Sequence, residues 1–382
     1  MVIRRYFDCN ATTPLSEPAR AAWLETANQH WHNPGGLYRQ GAAAKALLEE
    51  CREEVGARLG CEASRIVFTA GATESNNAVC AWAARRFPDR KALVSPIEHP
   101  SVRESAKWHF RNRLDVAPCS PAGVVEVPAV RQMLGADRPP ALVSMMAASN
   151  ESGVLLPWEE INLLCREQGI LFHCDATQWI GKRPAAGLGA CDFVTGSAHK
   201  FGGPKGVGFL KIPEDCQLQE QHGGRQEHGH RAGTENLAGI KAMMAAWTER
   251  EAAMETCDAC GRDAFELQLL DSPLGARMVG REAARLWNTS LLVMPDFPNV
   301  RWVARLSDLG FAVSTGAACS TGEATSAMLQ AMGFGTAEMK RVLRVSGWWS
   351  HQRSDWLDLA EAILTTWREF QSGATVRKKI QL

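Results

Sequence analysis

The chain has 382 residues, with 42 Lys+Arg against 42 Asp+Glu, and is 45% apolar and 22% charged. That length allows two domains with cores of their own, and the composition is that of a globular protein, neither disordered nor fibrous. A net charge of zero offers no basic excess for nucleic acid or an anionic membrane surface, and no apolar run approaches the ~20 residues of a bilayer span.

The first residues, Met1-Val2-Ile3-Arg4-Arg5-Tyr6-Phe7-Asp8, lack the apolar core of a signal peptide, so the expected location is cytoplasmic. The 12 cysteines are scattered through the chain and do not suggest a disulfide scaffold. Cys80, Cys165, Cys174 and Cys191 lie in apolar patterns, where a thiol acts as a small hydrophobe. Cys257 and Cys260 form a lone Cys-x-x-Cys with no second pair for zinc, and the glycines among His222, His228 and His230 suit a bent surface segment better than a metal site.

In chain order, residues 8–14 are turn-like, and helices are expected over about 17–29 and 40–59, the second with Leu47, Leu48, Cys51, Val55 and Leu59 on one face. Between them His32-Asn33-Pro34-Gly35-Gly36 breaks the chain. A strand over 65–69 leads into Ala70-Gly71-Ala72-Thr73-Glu74-Ser75-Asn76-Asn77, a glycine turn before a helix over 78–85. Free N–H groups and the positive dipole end at such a turn suit a phosphate. The turn is not Gly-x-Gly-x-x-Gly, which argues against a nicotinamide dinucleotide enzyme.

Strands over 91–95, 141–146 and 170–175, with a helix over 157–168, continue the alternation. Near-continuous apolar strands separated by helices imply an α/β fold, a mostly parallel sheet covered on both faces, whose ligands sit beyond the strands' carboxyl ends. His99, Asn150, Asp175, Gln178 and Lys200 all fall just past such ends.

Lys200 sits between strands over 192–195 and 206–211, in Ser197-Ala198-His199-Lys200-Phe201-Gly202-Gly203-Pro204-Lys205-Gly206. Alone it reads as a surface lysine; with hydroxyl, imidazole and glycines around it, and Asp175 for a pyridine nitrogen, it suits a Schiff base to pyridoxal phosphate. A helix over 237–254 then leaves this unit for a smaller α+β unit. There, strands are expected over 291–293, 311–314 and 343–346, and helices over 300–309, 326–332, 337–342 and 354–370. The domains divide as 15–250, with 1–14 and 251–382 together. Cys319, among the small residues 315–322, is the cysteine whose setting suits an exposed, reactive thiol. The segment 319–333 is long enough for a mobile loop.

The ordered set of motifs resembles the cysteine desulfurases, class V members of the fold-type I pyridoxal-phosphate enzymes. It includes Asp8-x-x-Ala11-Thr12-Thr13-Pro14, Gly71-Ala72-Thr73-Glu74-Ser75-Asn76-Asn77, Glu98-His99-Pro100-Ser101-Val102 and Asn150-Glu151-x-Gly153. It continues through Asp175-Ala176-Thr177-Gln178, His199-Lys200-Phe201-Gly202-Gly203-Pro204-Lys205-Gly206, Arg231-Ala232-Gly233-Thr234-Glu235-Asn236, Ser314-Thr315-Gly316-x-Ala318-Cys319 and Arg344-x-Ser346.

The resemblance implies pyridoxal 5'-phosphate bound to Lys200, with Asp175 at the ring nitrogen, Gln178 at the ring hydroxyl and His99 on the ring face. Asn150 lies near the hydroxyl or the substrate. Gly71, Ala72, Thr73, Ser197 and His199 hold the phosphate, with Thr234 given by the second subunit of a homodimer. Asn10 and Arg344 bind the substrate L-cysteine, Arg344 through its α-carboxylate. Cys319 takes the sulfur as a persulfide for an acceptor protein, an iron–sulfur scaffold or thiolation protein, and is a possible transient cluster ligand. A selenocysteine lyase or a catalytically silent sulfur carrier is the alternative. Two departures, Gly35-Gly36-Leu37-Tyr38 after Asn33-Pro34 and Gly347-Trp348-Trp349 after Ser346, bear on substrate and acceptor. A third is Thr315 in place of the family's second serine.

Overall fold

The computed structural model describes residues 5–218, 221–316 and 326–373. Seven strands make the main sheet: β1 (Ile66–Thr69), β2 (Ala92–Val94), β3 (Leu114–Val116), β4 (Leu142–Met146), β5 (Leu171–Asp175), β6 (Phe193–Ser197) and β7 (Gly208–Lys211). Their order is β1-β7-β6-β5-β4-β2-β3. The pairs from β3 through β2, β4 and β5 to β6 are parallel, and β7 runs against both its neighbours. Because β7 is antiparallel to β6 and to β1, those two point the same way. The carboxyl ends of β1, β2, β4, β5 and β6 therefore share one edge.

Alternation along the buried strands splits their side chains between two cores. Val194, Phe209 and Phe68 face one, together with Leu48, Ile161 and Trp247 from the helices Arg39–Leu59, Trp158–Glu167 and Leu237–Met254. Phe193, Leu210 and Val67 face the other, under Val79 of the helix Ala72–Arg86 and Phe110 of the helix Pro100–Phe110. Period-two burial on both faces is what the continuous apolar runs required. A third core holds Phe7, Phe265, Trp302, Leu343, Trp356 and Ile363. It lies around a small antiparallel sheet of β8 (Arg277–Met278), β9 (Thr289–Val293) and β10 (Val342–Ser346), ordered β10-β9-β8.

Local signals set many boundaries. The helix Glu17–Gln29 begins at Ser16, whose Oγ accepts from Ala19 N–H at 3.4 Å, and Arg39–Leu59 ends on Gly60 at φ +79°. Leu237–Met254 starts at Asn236, whose Oδ1 accepts from Gly239 N–H at 3.1 Å. Three expectations need correction. The helix after the glycine turn opens at Ala72, not residue 78, because Ser75 and Asn76 are buried in its first turns. The segment 311–314 makes only single bridges at Ala312 and Ser314. The helix expected over 337–342 is Thr336–Met339, and Val342 already belongs to β10. The helix expected over 326–332 is Ala327–Ala331, with Met328 and Leu329 buried; it occupies part of the segment 319–333 that is long enough for a mobile loop, and 319–325 lie outside the described residues.

One buried ion pair ties the Arg39–Leu59 helix to the sheet. Arg52 meets Glu227 at 2.6 and 3.1 Å, with side chains 2% and 1% exposed, and it donates to the Ile66 carbonyl; Glu227 also accepts from Phe68 N–H at 2.7 Å. Removing Glu227 leaves the buried Arg52 charge with only the partly exposed Glu49, at 3.0 Å, and takes the acceptor from Phe68 N–H. Glu227→Ala is accordingly expected to lower the unfolding free energy by about 3–5 kcal/mol, measured from urea midpoints. A loss below about 1 kcal/mol would contradict this.

The Gly347-Trp348-Trp349 departure is a packing device. The Arg250 guanidinium lies 5.0 and 4.7 Å from the Trp348 and Trp349 ring centres, and Trp349 Nε1 donates to the Gly181 carbonyl at 3.0 Å. Trp348 stands so near Gly202 (φ +97°) that a Cβ there would lie 3.3 Å from its ring. The turn after Lys200 is thereby pinned to the segment after β10.

Candidate active site

A cavity of about 940 Å³ opens at the shared strand edge. Lining it are Gly71, Ala72 and Thr73 beyond β1, His99 beyond β2, Asn150 beyond β4, Asp175 and Gln178 at and beyond β5, and Ser197, His199 and Lys200 at and beyond β6. Asn10 and Arg344 close it from the N-terminal turn and from β10. Thr234 is exposed and is not among the lining residues, and Cys319 lies outside the described residues.

Lys200 ends a short 3₁₀ turn, Ala198–Lys200, directly after β6. Its Nζ donates to the carbonyls of Asn10 and Ala11, both at 2.8 Å. Those acceptors come from the N-terminal turn, which is fixed on the lysine turn. Thr13 N–H donates to the His199 carbonyl at 2.9 Å, Gly202 N–H donates to Thr13 Oγ1 at 2.9 Å, and Ser16 N–H donates to the Gly202 carbonyl at 2.8 Å. Burial, then the nearby Arg344 cation, brings the Lys200 amine down to about 8, against the pull of Asp175 and Asp8.

Asp175 is 4% exposed at the end of β5; its Oδ2 accepts from Asn76 Nδ2 at 2.9 Å and its Oδ1 from Thr177 N–H at 3.0 Å. His99 caps the Pro100–Phe110 helix, its Nδ1 accepting from Ser101 N–H at 3.1 Å. An N–H can only donate, so the proton of the neutral ring is on Nε2. Burial lowers the His99 pKa, and burial with Lys200 and Lys205 nearby brings His199 down to about 4, so both rings are neutral at pH 7.

The glycine turn fits tightly against β7. Gly71 has φ +142°, and a Cβ on Gly208 would come within 2.7 Å of the Gly71 Cα. No side chain caps the Ala72–Arg86 helix, which leaves its first-turn N–H groups available to a ligand. Ser197 and His199 line the same cavity, with Ser197 Oγ 3.4 Å from where a Cβ on Gly71 would sit, so the donor set is one for an anion.

Arg344, 4% exposed, is aimed by Asp8 Oδ1 at 2.7 Å and by the Asn150 carbonyl at 3.1 Å. Asn10 differs from what its motif implied. Its Nδ2 donates to the Asn150 carbonyl at 3.2 Å and to Thr289 Oγ1 at 2.9 Å, and its Oδ1 accepts from Lys182 at 3.0 Å and Asn288 at 3.3 Å. Both donors and both acceptor positions of this amide are thus engaged within the protein.

Sequence reasoning passed over three buried charge carriers at this edge. Glu98 is 4% exposed, one oxygen accepting from Met146 N–H at 2.6 Å and the other without a partner; burial and the Asp175 charge push its pKa well up. Burial also raises Glu151, whose Oε1 accepts from Ser326 Oγ at 3.1 Å. Lys182 is 3% exposed. Glu98 and Glu151 stand inside recognised motifs, the one signal that could have found them. Cys80, Cys165, Cys174 and Cys191 are buried. Among the described residues no group of three or more His, Cys, Asp and Glu gathers, and no helix is long and apolar enough to cross a membrane.

Comparison with known proteins bears on this geometry. The family model for aminotransferase class-V matches residues 5–346. A cysteine desulfurase of Cereibacter sphaeroides is 37% identical over 328 residues, 84% of either chain. A solved NifS-like protein superposes with a TM-score of 0.86 at 29% identity, over 96% of this chain and 99% of its own. Another structure, SspA in complex with cysteine, gives 0.76 at 26% identity, over 90% and 98%.

Proposed function

The chain belongs to the class-V aminotransferase family, among its cysteine desulfurases, and from that footing we propose that it converts L-cysteine to L-alanine with pyridoxal 5'-phosphate, leaving a persulfide on Cys319. The observation that carries this reading is the convergence of the Lys200 amine, the paired Asp175 carboxylate and the uncapped start of the Ala72–Arg86 helix on a single cavity. These are the three groups an aldehyde, a pyridine nitrogen and a phosphate require, so the residues present fit the cofactor.

Lys200 would hold the aldehyde, Asp175 the ring nitrogen, and Gly71, Ala72, Thr73, Ser197 and His199 the phosphate, with Thr234 of a second copy completing it in a homodimer. Gln178 and Asn150 would meet the ring hydroxyl and His99 the ring face. When bound, the cofactor supplies an electron sink that lets an amino acid release its Cα proton.

Arg344 binds the substrate carboxylate, a planar bidentate task, while Asp8 holds the guanidinium in place. Lys200, with its lowered pKa, takes the Cα proton at Nζ. The Cys319 thiolate attacks the substrate sulfur: an S–S bond forms, the substrate's Cβ–S bond breaks and Cβ gains hydrogen. The cysteine carbon is reduced as the enzyme thiol is oxidised, so alanine and persulfide balance cysteine and thiol. We read residues 15–250 as the cofactor domain and residues 1–14 with 251–382 as the domain carrying Cys319. The persulfide passes to an acceptor protein, an iron–sulfur scaffold or thiolation protein, in the cytoplasm, where thiols stay reduced.

The test is incubation of the holoenzyme with L-cysteine and a thiol reductant. Alanine and sulfide are expected in equal amounts over many turnovers. Pyruvate in place of alanine, or sulfide without alanine, would refute the reading.

A further inference from the structure

Lys182 plays no part in the chemistry above, yet it lies at the centre of the hydrogen bonds beneath Lys200. It is 3% exposed, and its Nζ donates to Asn10 Oδ1 at 3.0 Å and, in a shorter contact, to Gln178 Oε1. No carboxylate pairs with it among the described residues. The two amides it meets have fixed orientations. Asn10 must turn its nitrogen to the Asn150 carbonyl, which only accepts. Gln178 must turn its nitrogen to the Asn10 backbone carbonyl at 2.9 Å, which also only accepts. Both side-chain oxygens are therefore left pointing at one buried spot, where a donor is required.

We propose that Lys182 is a positioning residue: its buried amine holds the carbonyl oxygens of Asn10 and Gln178 and thereby presents the second Gln178 N–H to the cavity. Without it, the buried Gln178 oxygen loses its donor and faces Asn10 Oδ1, which keeps only Asn288 Nδ2 at 3.3 Å, and the Gln178 amide turns to relieve the repulsion. This rests on the cofactor reading, in which Gln178 meets the ring hydroxyl. A donor there stabilises the ionised ring oxygen and so favours loss of the proton shared between that oxygen and the Lys200 nitrogen. The charged and titratable groups around Lys182 are Lys200, Arg344 and Cys9, with Asp8 and Asp175 facing Lys200. Burial disfavours a charge on the Lys182 amine, and both cations repel its proton further.

The experiment follows the pH midpoint of the holoenzyme's visible band in Lys182→Met, Gln178→Ala and the double variant. Each single change is expected to raise the midpoint by about one unit, and the double variant no further, because both remove the same N–H. Lys182→Gln, uncharged but still a donor, is made alongside in case Lys182→Met does not fold; a smaller rise is expected. A midpoint unmoved in the Lys182 variant that folds, or single effects that simply add, overturns the proposal while leaving the cofactor reading intact. A wild-type protein with no visible band after incubation with pyridoxal 5'-phosphate overturns both.

Discussion

Cys319→Ala is expected to keep the visible absorption of bound cofactor while alanine release from L-cysteine falls by about 10³-fold or more. The two readouts separate because the groups assigned to the cofactor belong to the strand edge, and none of them is Cys319. Nothing else in the assigned set can accept the sulfur. Among the described cysteines, the two whose thiol pKa values are pushed furthest up, Cys9 and Cys174, are both buried, Cys9 in the N-terminal turn and Cys174 in β5. The result also sorts the rivals. A lyase acting on selenocysteine or cysteine sulfinate would cleave its substrate without this thiol and keep turning over. A silent sulfur carrier would show no visible band in either protein. Alanine release at the wild-type rate in Cys319→Ala removes the desulfurase reading.

The catalytic edge was legible because its signals are local. A polar or small residue following a run of apolar residues marks a strand's carboxyl end, and five such ends stand in the sequence alone. The helix Leu237–Met254 has the extent expected, opened by Asn236 and closed where its apolar content ends. What stayed hidden depends on distant chain. No local pattern marks Lys182 in Gly181-Lys182-Arg183-Pro184, and its amine is held by the N-terminal turn, some 170 residues earlier. The start of the Ala72–Arg86 helix was masked in the same way. Ser75 and Asn76 look like turn residues, yet Ser75 Oγ hydrogen-bonds Thr69 Oγ1 at 2.9 Å and Asn76 holds Asp175. The helices Val127–Leu134 and Cys260–Leu270 are likewise not marked in the sequence; the second opens at Cys260, the second cysteine of the Cys-x-x-Cys pair.

Lys200→Ala is expected to abolish alanine formation and, after borohydride reduction, to leave no cofactor attached to the protein, whereas wild type retains it covalently. The fold should survive the change. The Asn10 carbonyl that loses Lys200 still accepts from Gln178 at 2.9 Å, and the Ala11 carbonyl loses one bond worth about 1 kcal/mol. The loss is therefore chemical, and it has a pH signature in the wild type. An amine brought from 10.5 to about 8 by burial and by Arg344 has roughly 10²-fold more of its neutral form at pH 7 than an ordinary lysine. Only that form attacks an aldehyde. Cofactor uptake by the cofactor-free protein should accelerate with pH up to about 8 and then level off, as the neutral fraction saturates. Continued acceleration into the ordinary lysine range would mean that the strand edge does not lower this amine. Reduction that fixed the cofactor to Lys182 or Lys205 instead would move the reaction's centre off Lys200 altogether.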